Sequence, residues 1–374
     1  MIEIREVKTR SELKKFVDYP NFLYKDVPQF VPSFFSDDVD DWDPRKNPAF
    51  DYCEAKCWLA WRDGQIVGRI GAILSHASNE KWNTKRMRFS QVDFIDDPEV
   101  SAALFKTVED WAHERGCDEV HGPLGFSDMD REGMLVEGFD RRSMFITYYN
   151  HPYYNEHLER LGYGKDVDWL EKMIDIPYDE HFVSRLQKLS DRVERMSGLH
   201  VAKVKSRLHL LPLVKKVFAL ANEAYAVLYG TVPLNDKQIK RYTLKFLPIL
   251  DPKLSCFLLD EQDNLIAFGI SAPSMAEAMK KCRGRLLPFG FIHVLKALKS
   301  NDTLDLFLIA VRPDCQNSGV NAIIMNHILK GCHQMGITKA ETGPTLETNH
   351  KIQSQWNFFN VEQHKRRRCY VKKI

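Results

Sequence analysis

The chain has 374 residues, of which 44% are hydrophobic and 28% are charged, and its formal net charge is +2. This length favours two domains, because a single hydrophobic core rarely grows beyond roughly 250–300 residues. The near-neutral charge gives no overall field for nucleic acid, and no apolar run approaches the ~20 residues that span a bilayer. We therefore expect no membrane partner, and nucleic acid is not a favoured one.

The N-terminal residues predict a strand and then a helix that Thr9 or Ser11 caps, without the apolar centre of a signal peptide. The eight cysteines are scattered and form no Cys-x-x-Cys pair and no zinc-type spacing. This pattern favours free thiols in a reducing cytoplasm and no bound metal.

The two halves of the chain repeat one order of predicted elements. Each half has a hairpin, with turns at Asp63-Gly64 and at Asp263-Asn264. Each hairpin leads to a strand, a helix and a second strand, and these second strands end at Gly122-Pro123 and Gly343-Pro344. A short helix and a last strand then follow in both halves, which indicates an internal repeat.

The repeat predicts a tandem of two α/β units with mixed sheets, divided near Pro177. Residues 1–177 would form the N-terminal unit, and residues 178–374 the C-terminal unit. The second copy is longer before its central strand, over residues 271–303. The first copy is longer after its Gly-Pro pair, over residues 124–149.

The most specific motif lies at residues 304–331, where an apolar strand, a short turn and a helix follow one another. The turn ends at Gly319, which allows close approach of the backbone and a positive φ. The helix begins at Val320, and its first N–H groups have no partner within the helix. Since the helix dipole adds a positive end, this arrangement is typical of an anion site.

The turn resembles the signature of the GCN5-related N-acetyltransferases, Gln/Arg-x-x-Gly-x-Gly/Ala, which binds the pyrophosphate of CoA. Here the signature reads Gln316-Asn317-Ser318-Gly319-Val320-Asn321, so Asn321 replaces the final Gly or Ala. The resemblance covers residues 250–374 well and residues 1–175 loosely. It implies acetyl-CoA or another acyl-CoA as the co-substrate.

The same resemblance extends on both sides of the turn. Val311 lies in the strand whose backbone would pair with the pantetheine amides. Asn349 and the aromatic residue Trp356 stand where an Asn and an aromatic contact the CoA arm in that family.

The first copy lacks this loop. Its equivalent turn carries Asp96, Asp97 and Glu99 and no glycine, so like charge would repel a pyrophosphate. We infer that the first copy does not bind CoA. An acidic helix start that complements the dipole accounts for these residues.

The long insertion after Pro123 has no clear periodicity, and such loops are often functional. We predict that Asp128 and Glu137 of this loop, and Tyr153 just after it, bind substrate; solvated loop charge is the equal alternative for either acid. The run Gly-Met-Leu-Val-Glu-Gly-Phe-Asp at 133–140 resembles a bacterial family of two-unit acetyltransferase-like proteins, which supplies no substrate.

Aminolysis of a thioester needs a base for the amine proton and an acid for the leaving thiolate. In the resembled family the base is often a Glu on a central strand and the acid a Tyr in the last helix. Glu341, on the strand after the CoA helix, is therefore the predicted base. The last helix of the second copy has no Tyr, so Tyr149 of the first copy is the predicted acid, with Tyr153 and Tyr370 as alternatives.

These features predict a cytoplasmic N-acyltransferase that moves an acetyl or longer acyl group from acyl-CoA to an amine, small molecule or peptide, held between the two units. One alternative is a non-catalytic protein that binds CoA or an amino compound. Another is a transferase with a non-CoA donor such as aminoacyl-tRNA, for which the basic run at 364–368 would matter, although a solvated strand end is the favoured interpretation of that run.

Tandem units also resemble N-myristoyltransferases and the Fem-type aminoacyl transferases, whose clefts accommodate large substrates. By this analogy of architecture, the protein is also compatible with a larger acceptor or a longer acyl group. The acceptor, the acyl length and the oligomeric state do not follow from the sequence.

Overall fold

The polypeptide leaves and re-enters each of its two units, so neither unit is one continuous stretch of sequence. In this computed structural model, which describes all 374 residues, the first unit comprises Met1–Leu170, Met275–Val294 and His364–Ile374. The second unit comprises Glu171–Ser274 and Leu295–Gln363. The boundary near Pro177 refers to the sequence repeat and stays a prediction.

Strands and helices alternate along the chain. The strands are β1 (Glu3–Glu6), β2 (Cys53–Arg62), β3 (Gln65–Ser75), β4 (Arg86–Phe94), β5 (Glu119–Gly122), β6 (Met134–Glu137), β7 (Gly164–Asp175), β8 (His200–Val201), β9 (Cys256–Leu259), β10 (Leu265–Pro273), β11 (Thr303–Val311), β12 (Lys339–Thr342), β13 (Thr345–Leu346) and β14 (Val361–Lys373). The α-helices are α1 (Arg10–Leu23), α2 (Phe35–Asp41), α3 (His76–Trp82), α4 (Pro98–Glu114), α5 (Tyr153–Arg160), α6 (Glu180–Ser197), α7 (Leu211–Ala224), α8 (Asp236–Phe246), α9 (Ala276–Cys282), α10 (Gly290–Lys299), α11 (Val320–Met335) and α12 (His350–Ser354).

Four of the longer helices begin at a residue whose side chain accepts a hydrogen bond from the first turn. These caps are Thr9 for α1, Asp97 for α4, Asp179 for α6 and Asn235 for α8. They are residue types that favour the cap position, because their side-chain oxygen replaces a missing helical acceptor. The prediction for the first helix is confirmed, with Thr9 as the cap.

The first unit is built on a sheet that starts antiparallel and ends with a parallel pair. Strands β1 to β4 are antiparallel neighbours, and β4 pairs with β5 in parallel. The C-terminal part of β14 completes the sheet by pairing with β5, and β6 pairs with β14 as well. Helix α4 packs on this sheet through apolar residues one turn apart, among them Val100, Leu104 and Val108, which are fully buried.

The second unit repeats this plan. Strands β8 to β11 are antiparallel neighbours, β11 pairs with β12 in parallel, and β12 pairs with the end of β7. Helix α11 packs on one face of the sheet, where Val320 and Ile323 join a cluster with Ile266. Helix α7 covers the other face, because its apolar residues cluster with Phe268 and Ala310.

No helix of the chain combines the length and the apolar character that a bilayer crossing requires.

Candidate functional site

The first turn of α11 has no side-chain cap, unlike the four helices above. Gly319 occupies the cap position with a φ of 81°, and Asn317 precedes it with a φ of 64°. The residues from Asn317 to Gly319 are exposed. The first N–H groups of this 16-residue helix can therefore bind an anion, and the helix dipole favours one.

Side chains around the turn add polar groups and one cation. Gln316 donates from Nε2 to the carbonyl of Val311 at 3.3 Å, and its Oε1 accepts a hydrogen bond from Lys351 Nζ at 2.8 Å. Ser318 Oγ donates to the carbonyl of Cys315 at 2.5 Å. Lys351 is exposed in α12, so its ammonium group brings positive charge to the turn.

Asn321, where the sequence departs from the signature, turns into the protein. Its Nδ2 donates to Gln355 Oε1 at 3.4 Å, while its Oδ1 is buried and has no hydrogen-bond partner. The bulk of Asn321 therefore lies beside the short 3-10 segment Gln355–Phe358 and not in the turn.

Strands β11 and β12 separate beyond Leu306. Their pairing runs from Thr303 opposite Lys339 to Leu306 opposite Thr342, and the Gly343 N–H adds a last bond to the Leu306 carbonyl at 2.9 Å. Strand β11 continues past this point to Val311. A gap therefore opens between two neighbouring strands of the sheet.

A β-bulge lies in β11 at the start of this gap. Ile270 of β10 is opposite Leu308 and Ser271 is opposite Leu306, so Phe307 is an extra residue. The bulge changes the alternation of the strand. As a result Leu304 before it, and Ile309 and Val311 after it, contact the clusters that α11 forms on one face. Leu304 and Leu306 pack in the cluster that contains Cys332. Ile309 and Val311 pack against the cluster that contains Ile323.

An apolar cleft lies over the gap, with about 820 Å³ of empty space that is partly open to solvent. Apart from two threonines, the side chains that line it are apolar. They belong to Ile174, Ile176, Ile270, Leu304, Leu306, Phe307, Leu308, Ile309, Ile324, Met325, Ile328, Leu329, Ala340, Thr342, Pro344, Thr345, Ile352, Trp356 and Phe359, with Gly269 and Gly343. Such a lining suits a hydrocarbon chain.

Buried carboxylates lie on the sheet face opposite to Leu304 and Ala340. Asp305 and Glu341 are paired neighbours in the parallel register, and both are buried. Glu171 of β7 lies two residues before the partner of Glu341, and an oxygen of its carboxylate is within 4.8 Å of one from Glu341. The predicted base thus stands one position before the end of the paired segment.

The sequence pointed to Glu341 but not to Asp305, Glu171 or the cleft. A signal for Asp305 was present, because it interrupts the apolar strand TLDLFLIAV. Glu171 had no such signal, since it lies among several other charged residues of β7. The cleft had no such signal, since its lining comes from strands and helices that are distant in sequence.

The equivalent places in the first unit are occupied by the chain itself. Asp97 accepts hydrogen bonds from the N–H groups of Glu99 at 2.9 Å and Val100 at 3.4 Å, and pairs with Arg62 at 2.7 Å. A carboxylate of the protein therefore holds the helix terminus where a phosphate would bind. This arrangement supports the inference that the first copy does not bind CoA.

Tyr149 and Tyr153 lie in the first unit, and both hydroxyls meet backbone carbonyls. Tyr149 donates to the Phe139 carbonyl at 3.4 Å, and Tyr153 to the Phe94 carbonyl at 2.6 Å. Burial raises the pKa of both phenols. Their assignment as the acid and as a substrate contact stays a prediction.

The predicted acids of the insertion differ in environment. Glu137 is exposed and pairs with Arg366 at 3.0 Å. Asp128 has a buried Oδ1 without a hydrogen-bond partner, and burial raises the pKa of its carboxyl to about 6. Burial also raises the pKa of the neighbouring Glu132 well above its usual range. The insertion therefore holds carboxyl groups that favour the neutral form, and the substrate role of Asp128 and Glu137 stays a prediction.

The raised pKa of Asp128 predicts a pH-dependent cost to stability. The folded protein holds this proton more tightly than the unfolded chain, so the stabilisation is complete below the unfolded pKa of about 3.9 and is lost as the pH rises through about 6. We expect Asp128→Asn to be more stable than the wild type at pH 8, by up to about 3 kcal/mol, and the difference to shrink toward pH 4.5. Urea unfolding at both pH values measures this difference.

Glu137→Gln is the matched control, because Glu137 is exposed in the same insertion. It should give no gain in stability at pH 8. A gain in stability for Asp128→Asn that does not vary with pH would contradict a raised pKa of the Asp128 carboxyl.

The basic run near the C-terminus is not a solvated strand end, and that interpretation of the sequence was wrong. Lys365 and Arg367 are buried, and they donate to the carbonyls of Arg142 at 3.1 Å and Tyr148 at 2.5 Å. Arg366 and Arg368 pair with the buried Asp168. The alternation of β14 distributes these charges to two faces, and all four have partners within the first unit.

The fold defines the class of protein. No protein-family model matches the chain. The structure is similar over 100% of the chain to a tandem GNAT protein from the clavulanic acid biosynthesis pathway, with a TM-score of 0.58, 11% identity and 98% of that chain covered. A GCN5-related N-acetyltransferase from Sphaerobacter thermophilus gives a TM-score of 0.51 with 10% identity, over 100% of this chain and 95% of that one. The chain therefore has the tandem fold of GCN5-related N-acetyltransferases, as the sequence predicted.

Sequence relatives extend over nearly the whole chain. It is 28% identical to Protein YghO of Escherichia coli (strain K12), over 99% of this chain and 95% of that protein. It is 27% identical to a bacterial ceramide synthase of Caulobacter vibrioides, over 93% of this chain and 91% of that protein. These similarities include both units.

Proposed function

We propose that the protein is an N-acyltransferase that uses a long-chain acyl-CoA as donor. The observation that carries this proposal is the apolar cleft at the gap between β11 and β12. Strand β11 leads directly from this cleft to the uncapped N-terminus of α11. One ligand with an acyl chain at one end and a pyrophosphate at the other fits this continuous path.

The lining of the cleft favours a long acyl chain over an acetyl group. Each buried CH₂ contributes about 0.8 kcal/mol, so a chain that fills an apolar cleft gains affinity with every carbon. An acetyl group would contact few of the apolar side chains that line the cleft. The apolar lining therefore favours a fatty acyl group over an acetyl group as the group that is transferred.

A long-chain amino alcohol is the acceptor class that we propose. The relative from Caulobacter vibrioides is named a ceramide synthase. A ceramide is the amide of a fatty acid and a long-chain amino alcohol, so its formation is the N-acylation that an acyltransferase fold of this kind would perform.

The proposed step is an aminolysis. The neutral amine attacks the thioester carbonyl, the C–N bond forms, and the C–S bond breaks to release CoA as a thiol. Beyond Leu306, β11 has left β12, so backbone N–H groups on that edge can bind the donor and the developing oxyanion. Glu341 would take the proton of the amine, and Tyr149 remains the candidate donor of a proton to the thiolate.

A titration followed by a transfer assay tests this function. The protein is titrated calorimetrically with acetyl-CoA and with palmitoyl-CoA, and thiol release is then followed with a long-chain amino alcohol, a short amino alcohol and a lysine peptide. We expect tighter binding of palmitoyl-CoA and an N-acyl product, seen by mass spectrometry, with the long-chain amino alcohol. Failure of the folded protein to bind either donor would overturn the CoA assignment. Binding without turnover would favour the non-catalytic alternative.

Met325→Trp should distinguish the two donors. Met325 is half-buried on α11 and lines the cleft, so a larger side chain there would take the space of the acyl chain. We expect the dissociation constant of palmitoyl-CoA to rise about tenfold, which matches the loss of roughly two buried CH₂ groups, and that of acetyl-CoA to change little. Calorimetry with both donors measures the effect.

Met335→Trp is the control for this variant. Met335 is also half-buried on α11 but does not line the cleft. It should leave both affinities within about threefold of the wild type, a difference below 1 kcal/mol. Equal losses of both donors in Met325→Trp would argue against an acyl chain in the cleft.

A further inference from the structure

A short stretch at the start of α10 exposes large apolar side chains at high density. Leu287 and Phe289 are 79% and 71% exposed, and Phe291, Ile292 and Leu295 are 42%, 52% and 51% exposed. These five residues fall within nine consecutive positions. Contiguous exposed apolar surface of this kind marks an interaction site.

Helix α10 packs on the protein with one side and exposes the other side to solvent. Val294 and Leu298 are buried, four residues apart on the inner side. Phe291 and Leu295, also four apart, lie on the outer side with Ile292. The helix therefore carries apolar side chains on its outer face as well, where a solvated helix would be polar.

Basic residues flank these apolar residues in the sequence. Between Met275 and Ser300 the sequence has six Lys or Arg residues and one acid, Glu277. The exposed members that make no ion pair are Lys281, Arg283, Lys296 and Lys299. The segment therefore combines apolar side chains with positive charge that is available to a partner.

The base of the segment is attached to the first unit. Arg285 pairs with Asp18 at 2.8 Å and lies over the ring of Phe35 at 4.4 Å. Lys280 donates to the carbonyl of Pro28 at 2.7 Å. These contacts attach the chain just before the apolar residues to the first unit, and the exposed fractions above show that the apolar side chains do not pack onto the protein.

We propose that residues 286–299 form a docking surface for an anionic lipid bilayer. An apolar face with aromatic side chains and a basic rim is the composition of helices that lie in the headgroup region. Lys and Arg near such a surface are attracted by anionic lipids. The ten residues of α10 reach about 15 Å, half of the roughly 30 Å hydrocarbon core, so the helix lies along the membrane and does not cross it.

A second copy of the chain fits this surface less well. Two such segments face to face would bring like charges together, since Glu277 is the only acid among them. The absence of a spanning segment predicted no membrane partner, but an interfacial helix of ten residues needs no spanning segment. The docking surface does not depend on the proposed donor or acceptor.

Vesicle flotation of the full-length protein tests the proposal. Vesicles of phosphatidylcholine alone are compared with vesicles that contain phosphatidylglycerol at about 30%. We expect wild-type protein to float with the anionic vesicles and to bind neutral vesicles about tenfold more weakly. The triple variant Phe289→Ser, Phe291→Ser and Ile292→Ser should lose about tenfold or more of the binding to anionic vesicles.

The triple variant Leu208→Ser, Val227→Ser and Leu244→Ser is the matched control, because these side chains are 72%, 83% and 68% exposed elsewhere. It should float like the wild type. Replacing Lys281, Arg283, Lys296 and Lys299 by Gln should remove the preference for anionic vesicles. Wild-type protein that does not float, or a control that loses as much binding, would overturn the proposal. The proposal would also be overturned if light scattering showed a dimer for the wild type and a monomer for the Phe289→Ser, Phe291→Ser and Ile292→Ser variant, because the surface would then bind a second copy.

Discussion

Gly319→Glu should lower the affinity for acyl-CoA by about 100-fold or more, with a similar loss for acetyl-CoA and palmitoyl-CoA. The new carboxylate would stand at the uncapped N-terminus of α11, where the N–H groups are available to the pyrophosphate. The first unit shows the result of such a change, since Asp97 there binds two N–H groups of its own helix. A loss of about 2.7 kcal/mol, equal to 100-fold, is the size of one or two charge-assisted hydrogen bonds.

Two further variants separate charge from backbone strain. Gly319 has a left-handed φ of 81°, and a Cβ there would lie 3.1 Å from Val193 Cγ2, so Gly319→Ala carries the strain without the charge. Gly336→Glu carries the same charge at the opposite end of α11, where φ is 71° and a Cβ would meet open space. We expect Gly319→Ala to lose less affinity than Gly319→Glu, and Gly336→Glu to bind like the wild type.

Calorimetric titration of all three variants measures these affinities. If Gly319→Glu bound both donors as the wild type does, the pyrophosphate would not lie at this turn. A melting temperature close to that of the wild type would show that the loss is local.

The sequence predicted the local parts of the site because their signals are local. A glycine turn between an apolar strand and a helix predicts a helix N-terminus without a side-chain cap, and α11 begins in this way at Gly319. The first hairpin turn is of the same kind: Asp63 and Gly64 adopt positive φ values of 50° and 77°, as a two-residue turn requires. Such features need no knowledge of which strands become neighbours.

The cleft could not be predicted because it depends on register. Phe307 is one of several apolar residues in β11, and nothing in its neighbourhood distinguishes the residue that bulges. That bulge, and the end of pairing at Leu306, decide which side chains line the cleft. Long-range pairing is set by the whole sheet and not by local propensity.

The interpretation of the basic run at 364–368 as a solvated strand end was wrong for a related reason. A cluster of Lys and Arg is usually solvated, and the sequence alone does not show that Asp168 pairs with Arg366 and Arg368. The pairing places Lys365 and Arg367 on the buried side of β14. With its charges already engaged, the run offers little to a tRNA, which weakens the alternative of an aminoacyl-tRNA donor.

Glu341→Gln should lower the rate of acyl transfer by about 10²–10⁴-fold and leave the affinity for acyl-CoA unchanged. Removal of a general base has an effect of this size, because the attacking amine must lose a proton as the C–N bond forms. Glu341 is buried on the face opposite to Leu304 and Ala340, one residue before the last pair of β11 and β12. It therefore lies next to the place where the two strands separate, which is where the thioester is proposed to bind. Gln has nearly the same shape and accepts no proton, so the substitution tests the chemistry with little change in packing.

Two controls and one competing result decide the role of Glu341. Glu261→Gln, an exposed substitution in the hairpin between β9 and β10, should keep full activity. Asp305→Asn removes the neighbouring carboxylate, and a larger loss there than in Glu341→Gln would transfer the role of base to Asp305. Thiol release reports the rate, and calorimetry reports the binding of donor in each variant. A Glu341→Gln protein that lost donor affinity and rate by the same factor would show that Glu341 maintains the donor site, because a base acts on the amine after the donor has bound.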